Sequence, residues 1–554
     1  MLEKHKGYEG SIYIDYYVAT MREFPEKSAI TCLTTGRTLT YGELDKITNQ
    51  MDHKFRADGL KKDDVVMACL FNTWQFPVLM IGCWKTPCIF SPVNFRLASG
   101  EIAIHLEDSR PKVFIWDFLL DQTIKKALEL SKHHPQILIS TGETSVAGAY
   151  RFEDYYANAP DEDVDIEDRI REILDPIQDE ILRHYTSGTT GLPKGTIETS
   201  LALLQMDWSI IATDNINWND KTMNITPWFH QGGIVLPTTV LISGGHLFGF
   251  PLTRFDPDTG LDFIEKYRLT VVWGAPATFN ALAAAQRKKS RDLGSLRLIH
   301  TMGAPFSKEE FIEWQEVLCQ TIFNTYGTTE TRQDLILRSD IHPMAEKAGS
   351  AGRPVPFCQV RVIKVRPGER VEPDELAAKD GVEEGQVISK SPHQFLGYYN
   401  RPELNEKRLY KGWFYSGDVA TWDQDGFIII KGRTDDMIQS GAEKVYPVPV
   451  EECLLRHPKV KDVFVVALPH QKWGQAVAAY VVPQEGETLT VEELDKHCQD
   501  DPYLANYTRP RYYQIVSEQL PYTATGKKMH YVIADKAKQE ADKFVPIPSE
   551  REAR

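Results

Sequence analysis

Residues 185–195, YTSGTTGLPKG, constrain this chain more than any other stretch. Thr186, Ser187 and Gly188, then Thr189, Thr190 and Gly191, interleave small hydroxyls with glycine, and Lys194 follows between Pro193 and Gly195. The run Ile181 to Tyr185 reads as a short strand feeding the loop. Glycines admit positive φ and let backbone come close to a ligand. Successive N–H groups with several hydroxyls make a concave anion site suited to a triphosphate tail, and the lysine adds a mobile charge. A P-loop would need Gly-Lys-Ser/Thr after its glycines, and none follows here. The bland alternative is a flexible surface loop, but this loop is denser in glycine and hydroxyl than such loops are.

Around it the chain alternates helix-like and strand-like stretches. Leu44 to Gly59 has helical spacing, His133-His134 reads as an exposed helix end, and Val65–Leu70 and Val113–Trp116 read as buried strands. Further strands are expected near His246–Phe250, Val271–Trp273 and Leu296–His300. That alternation predicts parallel sheets covered by helices. Residues 345–432 are richer in Gly, Pro and β-formers and suggest a small β-subdomain. After Arg433 the texture changes: a helix at 448–456, strands at 463–468 and 476–482, then a helix at 491–499. The expectation is an α/β protein with a large N-terminal domain, 1–434, of two α/β subdomains and a small β-subdomain. A compact, mobile α+β C-terminal domain, 435–554, would follow. At 554 residues two or more domains are expected.

Bulk properties exclude several classes. A net charge of −15 argues against a nucleic-acid binder, which would carry a basic stripe. The densest apolar patch, 76–84, is about half of what a membrane span needs. The N-terminus lacks an apolar core of signal-peptide length. The eight cysteines include no C-x-x-C pair, which predicts reduced thiols and a cytoplasmic protein. The acidic stretch 160–180 reads as a solvated linker, and Asp423 to Gly426 as a hairpin turn rather than a calcium loop.

Further motifs follow the loop in order: PWFHQGG (227–233), MGAP (302–305), NTYGTTE (324–330), GWFYSGD (412–418), GRTDDMIQSGAEKVYP (432–447) and PYTATGKK (521–528). With YTSGTTGLPKG, this set resembles the adenylate-forming enzymes, the family of acyl-CoA synthetases, peptide-synthetase adenylation domains and firefly-type luciferases. The resemblance runs from about residue 10 to about residue 535. It implies ATP, CoA and a carboxylic acid as substrates, with Mg²⁺ as cofactor.

Activating a carboxylate means bringing it against the α-phosphate, so charge must be cancelled and the attack aligned. By resemblance, Thr186 to Lys194 (Thr186, Ser187, Gly188, Thr189, Thr190, Gly191, Lys194) would hold the departing pyrophosphate. Glu330 would bind Mg²⁺ with help from Thr190, a hard cation on carboxylate and phosphate oxygens. Gly303, Ala304, Pro305, Asn324, Thr325, Gly327 and Thr328 would border the nucleotide, Tyr326 would stack on adenine, and Thr329 would meet the α-phosphate. Asp418 would accept both ribose hydroxyls, with Arg433 close by. Lys527 would bridge the carboxylate and the α-phosphate, with Lys528 the weaker candidate beside it. Lys527, Glu330 and Thr186 form the expected catalytic set. Asp435 would be the hinge about which the tail turns between adenylation and thioester formation. Gly441, followed by Ala442 where the family often has a second glycine, would face the pantetheine arm. Pro449 departs from the family's usual glutamate and reads as a helix start.

The acceptor is read from the second step. The segment 227–233 lacks the acid that a peptide synthetase aims at an amino group, and no carrier domain follows residue 540. The P-x-F-H-x-x-G form is closer to acyl- and aryl-CoA ligases. Trp473, Tyr507 and Arg509 match CoA-nucleotide contacts of some of these ligases. The acyl pocket would be lined by Trp228, Phe229, His230, Gly232, Trp273, Met302 and Gly303. His230 could be a wall or gate, or a satisfied core histidine. These segments hold no Arg or Lys, with Arg332 just beyond as a possible exception. The expected substrate is a medium-chain, branched, cyclic or aromatic monocarboxylate. A carrier-loading adenylation enzyme, or a silent nucleotide-binding member, are the other readings. A monomer and a homodimer both remain open.

Overall fold

The computed structural model describes residues 12–162, 173–186, 193–250, 255–366, 369–433, 436, 438–440, 443–470, 474–501, 504, 508–522 and 528–548. It is an α/β protein, and the chain divides into two compact units. The first takes residues 1–360 and 389–415, and the second 361–388 and 416–554. This division differs from the boundary expected at 434/435, because about half of the small β region groups with the tail.

The first unit holds two largely parallel sheets. In the nine-stranded sheet, Ser28–Cys32, His246–Gly249, Lys221–Asn224, Val271–Gly274, Leu298–Met302 and Ile322–Tyr326 lie side by side and parallel. Antiparallel strands Thr38–Thr40 and Leu335–Arg338 flank them. In the eight-stranded sheet, Val65–Cys69, Val113–Trp116 and Ile89–Pro92 are buried along their whole length. Continuous apolar runs of this kind belong to parallel strands covered on both faces. The strands expected at 65–70, 113–116, 246–250, 271–273 and 296–300 all form.

Helix Tyr41–Ala57 starts three residues before the periodicity suggests. Thr40 accepts from the Glu43 N–H and Glu43 accepts from the Thr40 N–H, a capping box that fixes the first turn. His133 is not at a helix end. It lies in the loop after helix Asp121–Leu130, and its Nε2 contacts the Pro111 carbonyl at 2.8 Å. No described helix is long and apolar enough to cross a membrane. All eight cysteines are free and buried.

Helix Ser200–Asp214 is buried nearly all round, yet carries Asp207 at its centre. Tyr13, Thr238 and Thr239 donate hydroxyls to this carboxylate, so it ties three helices together. Burial lifts its pKa to about 7, against the opposing pull of those three hydrogen bonds. An acid raised by folding stabilises most at pH below its unfolded value of 3.8, and that contribution is lost as pH rises to about 7. The wild type should therefore lose stability relative to Asp207→Asn across that interval in paired denaturant titrations. A pH-independent difference would mean that the carboxyl is ionised throughout.

Strand Trp413–Trp422, most of it in the second unit, pairs antiparallel with Ile428–Arg433 through a turn at Asp423 to Gly426. Gly426 sits at φ +84°, and its N–H reaches the Asp423 carbonyl, the hairpin turn expected. The tail of the second unit is built on the long pair Val460–His470 and Gly474–Pro483, in register over nearly their whole length. Both faces of this pair are apolar, which follows from the period-two side-chain rule. Val463, Val465, Val477 and Ala479 pack with Val450, Cys453, Val491 and Leu494. Phe464, Val466, Ala478 and Tyr480 pack with Ile533, Ala537 and Phe544 on the other face. Helix Pro447–Leu455 opens on Pro447, so Pro449 sits in its first turn as expected.

Candidate active site

The Gly/Thr loop is a hairpin connection. Strand Glu180–Thr186 leads in, strand Lys194–Thr199 leads out antiparallel, and Thr186 pairs with Lys194 across the base. A strand–loop–strand frame differs from the strand–loop–helix of a P-loop, as the missing Gly-Lys-Ser/Thr signalled. Ser187, Gly188, Thr189, Thr190 and Gly191 lie outside the described residues.

Several of the expected nucleotide and acyl residues lie at the carboxyl ends of adjacent parallel strands in the first unit. Val271–Gly274, Leu298–Met302 and Ile322–Tyr326 run in register, with Gly274 beside Thr301 and Met302 beside Thr325. Trp273, Met302, Gly303, Asn324, Thr325 and Tyr326 thus share one end of the sheet, where open α/β sheets place their ligands. Gly303 has φ +85° and is exposed with Ala304 and Pro305. The turn after Tyr326 is tight: the Arg332 N–H bonds the Thr328 carbonyl at 2.6 Å and the Asp334 N–H bonds the Tyr326 carbonyl at 2.9 Å. A Cβ on Gly327 would lie 1.9 Å from the Arg332 carbonyl oxygen, so only glycine fits. This turn presents Thr328, Thr329 and Glu330, all half-buried.

The segment 227–233 turns sharply into helix Gln231–Ile242. Gly233 is obligatory, because a Cβ there would strike the Pro227 carbonyl. His230 is an exposed N-cap residue whose Nδ1 accepts from the Gly232 N–H at 3.3 Å, not a core histidine. Trp228 is buried against Phe76, and Phe229 packs edge-on against Phe95. Gly232 faces Met302.

Sequence reasoning missed the segment 393–401, HQFLGYYNR, which fastens the hairpin strand and the Glu330 turn to each other. The Phe395 N–H bonds the Glu330 carbonyl at 2.9 Å, and the Tyr398 hydroxyl donates to Glu330 Oε1 at 2.5 Å. The Leu396 N–H bonds the Ile197 carbonyl and the Tyr399 N–H the Gly195 carbonyl. Arg401 reaches the Pro193 carbonyl at 3.2 Å, and Gly397–Tyr398 pairs with Thr196–Ile197 along the strand edge. A signal was present in the Gly-Tyr-Tyr run, but backbone pairing has no residue-type signature.

Arg332 is not available to a second substrate carboxylate. It is buried and paired with the buried Glu198 at 2.5 Å, and its other nitrogen reaches the Ala202 and His393 carbonyls. Glu198 also accepts from Thr196 and faces His184 Nδ1 at 3.1 Å. Burial pushes the Glu198 pKa up, but Arg332 and His184 outweigh it and hold the carboxyl down at about 2.

In the second unit, Asp418 and Arg433 face each other across the antiparallel pair, with Nη1 at 3.0 Å from Oδ1. Arg433 also reaches the Ser416 carbonyl, and the Ser416 hydroxyl accepts the Asp418 N–H. Lys528 is committed: its ammonium bonds Glu451 and the Val463 carbonyl, each at 2.6 Å, over the Phe464 ring. Arg509 is buried and paired with Asp495. Asp435, Gly441, Ala442, Trp473, Tyr507 and Lys527 lie outside the described residues.

The family model of AMP-binding enzymes matches residues 18–399, and that of the AMP-binding enzyme C-terminal domain matches residues 449–527. A feruloyl-CoA synthase of Amycolatopsis sp is 31% identical over 495 residues, covering 89% of this chain and 92% of that protein. A long-chain-fatty-acid–CoA ligase of Mycobacterium tuberculosis is 30% identical over 502 residues, covering 90% and 93%. The solved structure of o-succinylbenzoate CoA synthetase from Bacillus subtilis with its acyl-adenylate intermediate superposes with a TM-score of 0.78 at 25% identity, over 94% of this chain and 97% of that one.

Proposed function

The chain belongs to the AMP-binding enzyme family and is an acid–thiol ligase; we propose that it joins an aromatic or medium-chain monocarboxylate to CoA, releasing AMP and pyrophosphate. One observation carries the site assignment. The segment 393–401 binds both the strand leaving the Gly/Thr loop and the Glu330 turn. That ties strand Lys194–Thr199 and the Glu330 turn into one frame, which supports the reading.

In the first step a carboxylate oxygen attacks the α-phosphorus and the bond to pyrophosphate breaks. The loop from Thr186 to Lys194 holds the departing pyrophosphate, Thr329 meets the α-phosphate, and Tyr326 stacks on adenine. Asp418, oriented by Arg433, accepts the ribose hydroxyls, since a carboxylate can take two donors. Lys527 bridges the two reacting anions. In the second step the CoA sulfur attacks the acyl carbonyl, AMP leaves, and the thiol proton goes to solvent. Gly441 lets the pantetheine arm pass close to backbone.

No group of three or more His, Cys, Asp or Glu that could cage a metal exists among the described residues. That fits Mg²⁺ held by phosphate oxygens, water and the single carboxylate of Glu330. Bound there, it would neutralise charge on the triphosphate. Tyr398 keeps the Glu330 carboxylate in one orientation. Tyr398→Phe should raise the Mg²⁺ concentration for half-maximal rate about tenfold, the scale of one hydrogen bond to a charged group, and Glu330→Gln should raise it further. Unchanged metal dependence in both would mean that the carboxylate plays no part.

The two relatives named above act on feruloyl and long-chain acyl groups, and Arg332 is occupied by Glu198. Both support a monocarboxylate. Product analysis over a panel of acids tests the reading: AMP and pyrophosphate should appear, with thioester only when CoA is present. ADP and phosphate, or indifference to CoA with every acid, would overturn it.

A further inference from the structure

The strand that carries Met302 also carries a buried polar group. Strand Leu298–Met302 turns His300 and Met302 to the same face, two residues apart, or about 6.6 Å along the strand. Met302 marks the top: its Sδ lies 2.6 Å from where a Cβ on Gly232 would stand. His300 lies below, paired across the sheet with Trp273, their rings 4.2 Å apart. Helix Ser200–Asp214 ends behind it, and Asp214 Oδ2 stands 2.6 Å from His300 Nδ1. Both side chains are fully buried.

An ionised carboxylate only accepts, so Nδ1 carries the proton between them. With the ring neutral, Nε2 then presents a lone pair. That atom is buried and has no partner among the described residues. Neither have the indole nitrogens of Trp273 and Trp228, nor either amide atom of Gln231 at the start of helix Gln231–Ile242. Buried polar atoms are normally satisfied, and each orphan costs stability. A histidine oriented by a buried aspartate, with its second nitrogen unmatched, is a group set up for a partner.

We propose that the acyl group selected here carries a hydroxyl or amino substituent about one benzene ring away from its carboxylate, and that His300, oriented by Asp214, accepts a hydrogen bond from it. The proposal rests on the ligase reading above, in which Met302 and Gly303 line the acyl pocket and Gly303 also borders the nucleotide. His300 is then a specificity residue, not a catalytic one. A hydroxylated or aminated aryl acid fits; an unsubstituted one of the same length leaves Nε2 buried without a donor.

The test compares kcat/KM for pyrophosphate release with paired acids: 4-hydroxybenzoate and 4-aminobenzoate, each against benzoate. The wild type should favour the substituted member at least tenfold, the scale of one buried hydrogen bond. In His300→Phe the ratio should fall to within about threefold of one. Asp214→Asn, which releases the tautomer while keeping the ring, should also lower it and serves if the first variant fails to fold. A wild-type ratio near one, or a ratio that survives both substitutions, overturns the proposal. Turnover of alkyl acids alone would overturn it and leave the ligase reading standing. No pyrophosphate with any acid would overturn both.

Discussion

Lys527→Ala is expected to lose about 10²-fold or more in acyl-adenylate formation, the scale of removing one well-placed electrostatic contact. It should still convert supplied acyl-AMP and CoA to thioester, because its charge is needed only while two anions meet. Gly441→Leu should show the reverse, making adenylate at near-normal rate and failing to pass it on. Lys528→Ala is the control that the structure provides. Its ammonium is held by Glu451 and the Val463 carbonyl inside the second unit, so its loss should lower stability and spare both half-reactions. Asp435→Pro should resemble Gly441→Leu if the hinge must turn, since proline fixes φ. Equal damage to both half-reactions from Lys527→Ala and Gly441→Leu would leave a single static site as the better account.

Glu198→Ala is expected to destabilise the first unit by about 3–5 kcal/mol, the usual penalty for stranding one charge of a buried pair. Arg332 would then be buried beside two carbonyls without the carboxylate it pairs with. Replacing both, as Glu198→Leu with Arg332→Met, should recover most of the loss, because well-packed apolar pairs often match buried ion pairs. The pair also carries a pH signature. The Glu198 carboxyl is held at about 2 in the fold against 4.5 unperturbed. A depressed acid stabilises above its unfolded value and loses that contribution as pH falls, here between about 4.5 and about 2. The wild type's advantage over the double variant should shrink across that window. Chemical denaturation of the three proteins from pH 7 down to pH 2.5 measures both effects, and a Glu198→Ala cost under about 1 kcal/mol would show that the pair is strained or hydrated.

Much of this was legible in the sequence, for physical reasons that differ by element. Val113–Trp116 was readable because a fully buried parallel strand is a continuous apolar run. The start of helix Tyr41–Ala57 was missed although its signal, Thr40 followed by Glu43, is written in the chain; periodicity alone sees only where the apolar face begins. The strand leading into the Gly/Thr loop was readable, but the hairpin frame was not, since the short strand Lys194–Thr199 carries Lys, Gly and Glu among its β-formers. Arg332 looked like a pocket cation because its partner, Glu198, is remote in sequence. His300 was invisible for the same reason: a lone histidine in a strand says nothing until Asp214 is found behind it. Tyr398 illustrates the third limit. Its part is played mostly by neighbouring backbone groups, which every residue owns.

The strip Gly397–Tyr398 has a further consequence, for the order in which the molecule comes into being. It covers the outer edge of strand Lys194–Thr199, the terminal pairing of the eight-stranded sheet. On a ribosome adding about 5–20 residues each second, that edge leaves the exit tunnel and waits on the order of ten seconds or more for its cover to be synthesised. An open edge invites pairing with other chains. The nascent protein thus exposes a pairing edge while strand Lys194–Thr199 is already made and its cover not yet translated. A stop codon or a ribosome pause before His393 would prolong that interval, which ends only when the cover arrives.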